Sequence, residues 1–393
     1  MDTVFVNATV LDVRAGRLIE DQEIAVRHGR ITEVGTAVRR SGQLIDLQGR
    51  TVMPGLIDSH VHVTQGSESF AELKSWPASY AAIRSAQTLN DMLQRGFTTV
   101  RDLGGAEAGL ARALREGLIV GPRLLFGGPI LAPTGGHVLT RICDGPVELR
   151  RAIREQMVQG AHHIKLTLSG GVVSSMALDA LAYSEEEIRA AVEEAGFAHG
   201  YVAGHAYSAA SVNRALRYGV RTIEHGNLID EESVELFKER DAFLVPTLAT
   251  FDALRRSGAA HLTADGKGKL DAILERGLEA LELADRAGVA IGYGTDLHGA
   301  LHAHQLNEFT LRAEVQKPAD ILRSATVVGA EIAGLVGEIG EIRAGAWADL
   351  LVVDGNPLED IAVLTEPDRR LRLIMQGGRI VKDTLAKEVP DVP

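Results

Sequence analysis

Apolar and polar positions alternate along the first part of the chain. Val4-Phe-Val-Asn-Ala-Thr-Val-Leu, Glu23-Ile-Ala-Val-Arg and Arg30-Ile-Thr-Glu-Val each carry the pattern, with Gly or Asp between them. Successive side chains of a strand point to opposite faces, so this period of two predicts short strands with one face buried. The C-terminal stretches Ala348-Asp-Leu-Leu-Val-Val-Asp and Leu373-Ile-Met-Gln-Gly-Gly-Arg-Ile-Val repeat it, with Gly-Asn-Pro and Gly-Gly turns. The two ends, residues 1–53 and 341–393, are expected to build one small β-sandwich domain together.

Between them, over residues 54–340, short apolar runs rich in β-branched residues alternate with longer stretches of helical period. The runs are Thr51 to His62, Thr98 to Leu103, Arg123 to Phe126, His163 to Leu168, Tyr201 to Ala206, Arg221 to His225, Ala242 to Leu248 and Val289 to Asp296. Ser184-Glu-Glu-Glu-Ile and Asp230-Glu-Glu-Ser-Val-Glu-Leu-Phe are helix starts, a capping residue followed by acids in the first turn. Eight strands with intervening helices in about 245 residues approach the roughly 250 of a (β/α)8 TIM barrel. The expected class is therefore α/β. A doubly wound open sheet is the alternative, and both the strand count and the polar residues at strand ends favour the barrel.

Composition narrows the function classes. The 393 residues are 45% hydrophobic and 24% charged, with a net charge of −12 and no clustering of Lys and Arg, which argues against nucleic acid as a partner. No apolar run reaches the roughly 18 residues of a membrane span. The opening Met-Asp-Thr-Val-Phe-Val-Asn lacks the basic and apolar regions of a signal peptide, and the single cysteine, Cys143, excludes an internal disulfide. A cytoplasmic location is expected, with Cys143 a buried or loop thiol.

The candidate chemistry lies at the ends of the strands, where barrels of this type place their reactive groups. His60 and His62 close the first run, and residues i and i+2 of a strand share a face; Asp58 has the same parity. Lys165 lies among apolar neighbours in the fourth run, His205 ends the fifth, His225 the sixth and Asp296 the eighth. Imidazole nitrogens and carboxylate oxygens suit a pair of divalent cations, zinc or a metal of similar character. An ammonium cannot ligate, but a neutral lysine that has added CO2 is an anionic carbamate able to bridge two ions.

The motifs that carry these residues are Pro54-Gly-Leu-Ile-Asp-Ser-His-Val-His, Ile164-Lys-Leu-Thr-Leu-Ser-Gly-Gly-Val, Gly204-His-Ala, Ile223-Glu-His-Gly and Gly294-Thr-Asp, with Gly345-Ala-Trp-Ala-Asp-Leu-Leu-Val-Val-Asp-Gly-Asn-Pro near the end. In this order, over nearly the whole chain, they resemble the amidohydrolase superfamily, and within it the Xaa-Pro dipeptidase-like and arginine/lysine carboxypeptidase-like group. The resemblance implies that His60, His62 and Asp296 hold one zinc ion, that His205 and His225 hold a second, and that carboxylated Lys165 bridges them. It further implies Asp296 as the general base turned general acid, contact of His137 and Tyr207 with a substrate carboxylate, and a homo-oligomer. His298, in the loop after Asp296, is a further candidate for the pocket. His302 and His304 crowd the pocket mouth, whereas His162 and His163 read as packing or surface residues. Gly170-Gly171 lacks the spacing of a phosphate loop.

The activity implied is hydrolysis of an amide bond in a small molecule, a dipeptide or N-acyl amino acid, with neither nucleic acid nor a membrane as a partner. A xenobiotic amide, carbamate or mycotoxin-like conjugate such as an ochratoxin-type amide is the alternative substrate, and a scaffold that has lost catalysis is the reading outside enzymes. The stretch from Val173 to Tyr183 departs from the Pro- and Asp-containing pattern of relatives. Its apolar content points toward a hydrophobic substrate.

Overall fold

A computed structural model describes residues 2–137, 141–259 and 262–386. Met1, Val138 beside His137, and residues 387–393 of the expected C-terminal β segment lie outside the described residues.

The two chain ends interleave in one mixed sheet of eight strands. Its order is Arg379–Asp383, Leu371–Gln376, Leu350–Val353, Thr51–Pro54, Thr3–Asp12, Arg17–Arg27 and Arg30–Gly35, with Gln43–Asp46 also paired to Thr3–Asp12. The antiparallel pair that sets Leu351 opposite Met53 ties the late strands to the early ones. Alternation gives this sheet two apolar faces. Phe5, Ile24, Val52, Leu350, Val352 and Leu373 gather on one. Leu11, Met53, Leu351, Val353 and Ile374 pack with Leu89, Met92 and Leu93 of the helix Ala78–Gln94.

All eight expected central runs contain a parallel strand. Leu56–Val61, Phe97–Asp102 and Arg123–Phe126 form one sheet; Ile164–Thr167, Val202–Ser208, Thr222–Leu228, Phe243–Val245 and Ala290–Ile291 form another, extended by Leu131–Ala132 and Arg141–Ile142. Backbone bonds span both seams between the sheets: Ser59 N donates to Tyr293 O (2.8 Å) and His162 N to Phe126 O (2.9 Å). The strands are buried on both sides and therefore read as continuous apolar runs. Their outer side chains, among them Ile164, Leu166, Val202, Ile223 and Leu244, pack with Leu149 and Ile153, Ile188 and Ala191, and Val212 and Leu216 from the surrounding helices.

Two runs pair over fewer residues than their pattern predicts. Pro246 has no N–H to offer a neighbour, and the seventh strand stops at Val245. The eighth pairs only over Ala290–Ile291, and by Asp296 the backbone has turned to φ +53°. The helix starts fall where expected. Glu187 N donates to Ser184 Oγ (3.3 Å) while Ser184 N donates to Glu187 Oε2 (2.6 Å), and Asp230 with Ser233 repeats the reciprocal pair. Among the described residues no helix is long and apolar enough to cross a membrane.

Candidate metal centre

One cavity of about 680 Å³ opens at the C-terminal ends of the parallel strands, and all six expected ligands line it: His60, His62, Lys165, His205, His225 and Asp296. Asp296 is the hub. Its Oδ1 lies 3.3 Å from His60 Nε2 and 3.1 Å from His62 Nε2, and its Oδ2 lies 4.0 Å from His225 Nε2. Gly294 permits this convergence, because a Cβ there would meet Val245 Cγ1 at 2.3 Å and His60 Cβ at 2.8 Å. Asp296 and His225 (φ +78°) both hold left-handed backbone, a strained conformation that persists where the surroundings enforce it.

The remaining nitrogen of each imidazole sets which lone pair faces the cluster. His60 Nδ1 donates to Glu224 Oε2 (2.8 Å) and His62 Nδ1 to Gly104 O (2.9 Å). Carboxylates and carbonyls only accept, so both rings keep Nε2 as the free donor atom for a cation. His205 Nε2 donates to Gly170 O (3.1 Å), leaving Nδ1, and His225 Nδ1 bonds Thr247 Oγ1 at 2.7 Å. The groups His60–His225–Asp296 and His62–Asp296–His298 each have ligand atoms close enough to hold one ion. The clustering thus pairs His225 with His60 and brings in His298.

Lys165 sharpens the fit. Its Nζ is buried with no hydrogen-bond partner, and burial brings its pKa down to about 8, with Glu224 and Asp296 opposing. An orphaned, readily neutral amine among four imidazoles and a carboxylate suits addition of CO2 and capture of cations, not a structural ion pair. Burial works against the charge of Asp296, yet His60 and His62 outweigh it and hold the carboxyl well below its usual range. Burial lowers the pKa of His62, and Asp296 more than reverses that. A proton and a cation therefore compete for the same Nε2.

The three expected substrate contacts line the cavity as well. His137 stacks on His205 at 4.3 Å, its Nδ1 has no partner, and burial lowers its pKa to about 3, so the ring is neutral. Tyr207 stacks on His225 at 4.9 Å. His298 Nε2 is 3.6 Å from Asp296 Oδ1, with its pKa lowered by burial to about 4.

Asp58 does not join them, although its parity matches His60 and His62. It is fully buried away from the cavity, accepting from Thr295 Oγ1 (2.7 Å), Gln305 Nε2 (2.9 Å) and His60 N (3.0 Å), and so it fastens the eighth strand's end to the first. Nor does Asp296 cap a helix; the short 3-10 turn that follows begins after His298. His163, buried, donates from Nε2 to Asp102 O (3.0 Å), and Cys143 is buried, both as expected. His302 is buried outside the cavity lining, not at its mouth.

Glu224 and Arg101 escaped the sequence reading. Arg101, among the largest fully buried side chains, donates through Nη2 to Glu224 Oε1 (2.9 Å), through Nε to Ser59 O (2.6 Å) and through Nη1 to Thr222 Oγ1 (3.1 Å). Burial raises the pKa of Glu224, but Arg101, Lys165 and His60 drive it far down. The signals were there: a guanidinium inside the apolar run from Thr98 to Leu103, and the Glu of Ile223-Glu-His-Gly.

The amidohydrolase family model matches residues 51–381 of this geometry's chain. The chain belongs to the amidohydrolase family. This amidohydrolase is 32% identical over 364 residues to the ochratoxinase of Aspergillus niger, covering 84% of this chain and 75% of that protein. A prolidase solved with N-methylphosphonate-L-proline superposes with a TM-score of 0.94 at 43% identity, covering 98% of this chain and all of that one. A Xaa-Pro dipeptidase with bound methionine superposes at 0.89 and 28% identity, covering 97% of this chain and 100% of that one. The amidohydrolase is accordingly a hydrolase acting on amide bonds.

Proposed function

We propose that the protein is a binuclear metal-dependent hydrolase cleaving the amide bond of a dipeptide or N-acyl amino acid. The observation that carries this reading is the convergence of four imidazoles and Asp296 on a cavity that also holds the unpartnered Lys165 amine. His60, His62 and Asp296 would hold one zinc ion, His205 and His225 the second, and Lys165, carboxylated by CO2, would bridge them. Bound there, the cations supply the charge that makes water a nucleophile at neutral pH and polarises the amide carbonyl. Asp296, ionised at neutral pH, takes the proton of the attacking water as the C–O bond forms. It returns that proton to the leaving nitrogen as the C–N bond breaks. Neutral His137 donates to the substrate carbonyl or carboxylate, with Tyr207 and His298 flanking it.

The same reading takes the eight parallel strands as a closed (β/α)8 barrel over residues 54–340. Backbone bonds across both seams support this. The reading also assigns residues 1–53 and 341–393 to one β-sandwich domain; in support, the described strands of both stretches share one sheet, with Phe5, Val52 and Leu373 gathered on one of its apolar faces.

A second substrate class is favoured by one part of the cavity. Val172, Phe251, Leu254, Leu262 and Leu301 make an apolar wall, and Lys165 is the sole Lys or Arg among the described lining residues. Such a wall suits a bulky apolar amide of the kind the name of the Aspergillus niger relative indicates. Steady-state hydrolysis of a panel of Xaa-Pro, Xaa-Arg, Xaa-Lys and Xaa-Phe dipeptides, N-acyl-phenylalanines and aryl amides separates the readings. Turnover of dipeptides and N-acyl amino acids supports the first, turnover confined to aryl amides the second, and no turnover contradicts both.

A further inference from the structure

The segment that follows the lysine strand forms one wall of the cavity through Val172, Val173, Ser174 and Ser175. It also reaches the metal centre, because Gly170 O accepts from His205 Nε2 at 3.1 Å and so sets that ring's tautomer. Residues 170–176 carry no helix or strand of their own, and the helix Ala264–Arg286 packs against them. Lys269, its side chain 10% exposed, donates from Nζ to Ser174 O (2.8 Å) and Met176 O (2.9 Å) and pairs with Asp265 Oδ2 (2.7 Å). One turn earlier, Gly266 lies flat against the wall, where an added Cβ would meet Val172 O at 2.8 Å. Two adjacent points on one helix face thus clamp a single loop.

We propose that Lys269 is a positioning residue of the active site. Its ammonium pins the loop of residues 170–176 to the helix, which keeps Gly170 O against His205 and the valine and serine wall at its distance from the substrate. The inference rests on the reading of His205 as a metal ligand. An ammonium satisfying two carbonyls and a carboxylate at a nearly buried position is a designed contact, since a surface lysine gains little by giving up its rotamers.

The test uses zinc-loaded full-length protein. Lys269→Met keeps the length of the side chain and removes its donors. Gly266→Ala leaves Lys269 intact and pushes the wall away through the 2.8 Å approach of its Cβ to Val172 O; the preference of a helix for Ala over Gly, about 1 kcal/mol in its interior, offsets part of that strain, so Tm is followed alongside. Lys267→Met, at an exposed position on the same helix, is the control. Zinc transfer to a chelator, KM and kcat for the best substrate, Tm, and hydrogen exchange across residues 170–178 are measured.

Both Lys269→Met and Gly266→Ala are expected to release one of the two zinc ions roughly 10–100-fold faster, as for other residues that orient ligands. Both should raise KM more than they lower kcat and speed exchange in the loop, with Lys267→Met matching wild type. Wild-type zinc release and exchange in both variants would overturn the proposal. So would losses in Lys269→Met that merely follow a lower Tm while Gly266→Ala is unaffected. If wild-type protein binds zinc but hydrolyses nothing on the panel, the substrate reading fails and zinc release still decides the role of Lys269. If it binds no zinc, the metal centre fails and hydrogen exchange decides the clamp.

Discussion

His60 gathers the buried charge of the site. Its Nε2 faces Asp296 while its Nδ1 holds Glu224, which is held in turn by Arg101. Partners of this kind fix the tautomer and orientation of a metal-binding ring and are worth roughly 10–100-fold in affinity or activity. Glu224→Gln is expected to lower zinc affinity by that factor, read by competition with a chelator. Asp296→Asn keeps an oxygen for the metal but removes the base. It should reduce kcat about 10²–10⁴-fold while zinc content changes much less, which steady-state kinetics and elemental analysis on the same sample would show. The six candidate ligands were legible because strand parity and strand-end placement act within a few residues. Glu224 was not, because adjacent residues of a regular strand face opposite ways, and the positive φ that brings both Glu224 and His225 to the site is a property of the folded backbone. Asp58 illustrates the converse error: its parity was read correctly, but burial beneath Thr295 and Gln305 cannot be seen in a one-dimensional pattern.

The two helix starts read from the chain, at Ser184 and Asp230, carry local caps, whereas the helix Leu248–Arg256 depends on a remote one. Ser184 and Glu187 sit three apart and satisfy each other, so Ser184→Ala should cost about 1 kcal/mol in denaturant unfolding and leave kcat unchanged. The helix Leu248–Arg256 has no such signal. It starts after left-handed Thr247, whose side chain is engaged with His225, and Ala249 N donates instead to Glu308 Oε2 at 2.7 Å, across the fold. Burial raises the pKa of Glu308 to about 8, with Arg312 and the helix N–H groups opposing. The folded chain thus holds the proton more tightly than the unfolded one, whose carboxyl titrates near 4.5. That contribution is full below about pH 4.5 and is lost as pH rises through about 8. Glu308→Gln lacks the charge, so the Tm of wild type should fall relative to the variant across this range in paired thermal melts. Strand ends were the other illegible feature, since apolar character continues past Val245 and Ile291 where pairing stops.

At the scale of the molecule, the interleaving of both ends in one sheet ties the first strands to the last and closes the chain around its parallel core. The alternation at both ends announced these strands, and their meeting was inferred from likeness of pattern. What a pattern cannot specify is pairing order across some 300 residues, and the single mixed sheet emerged only in three dimensions. Ions held by groups from the first, fourth, fifth, sixth and eighth strands would fasten those strands to one another. A ligand that binds only the folded state stabilises it, so chelation should lower Tm and zinc should restore it. The central claim is tested most directly by elemental analysis of protein expressed with zinc and bicarbonate, alongside Lys165→Ala prepared identically. Close to two zinc ions per wild-type chain, with loss of at least one in Lys165→Ala, is the predicted result; wild-type protein without stoichiometric metal would contradict it.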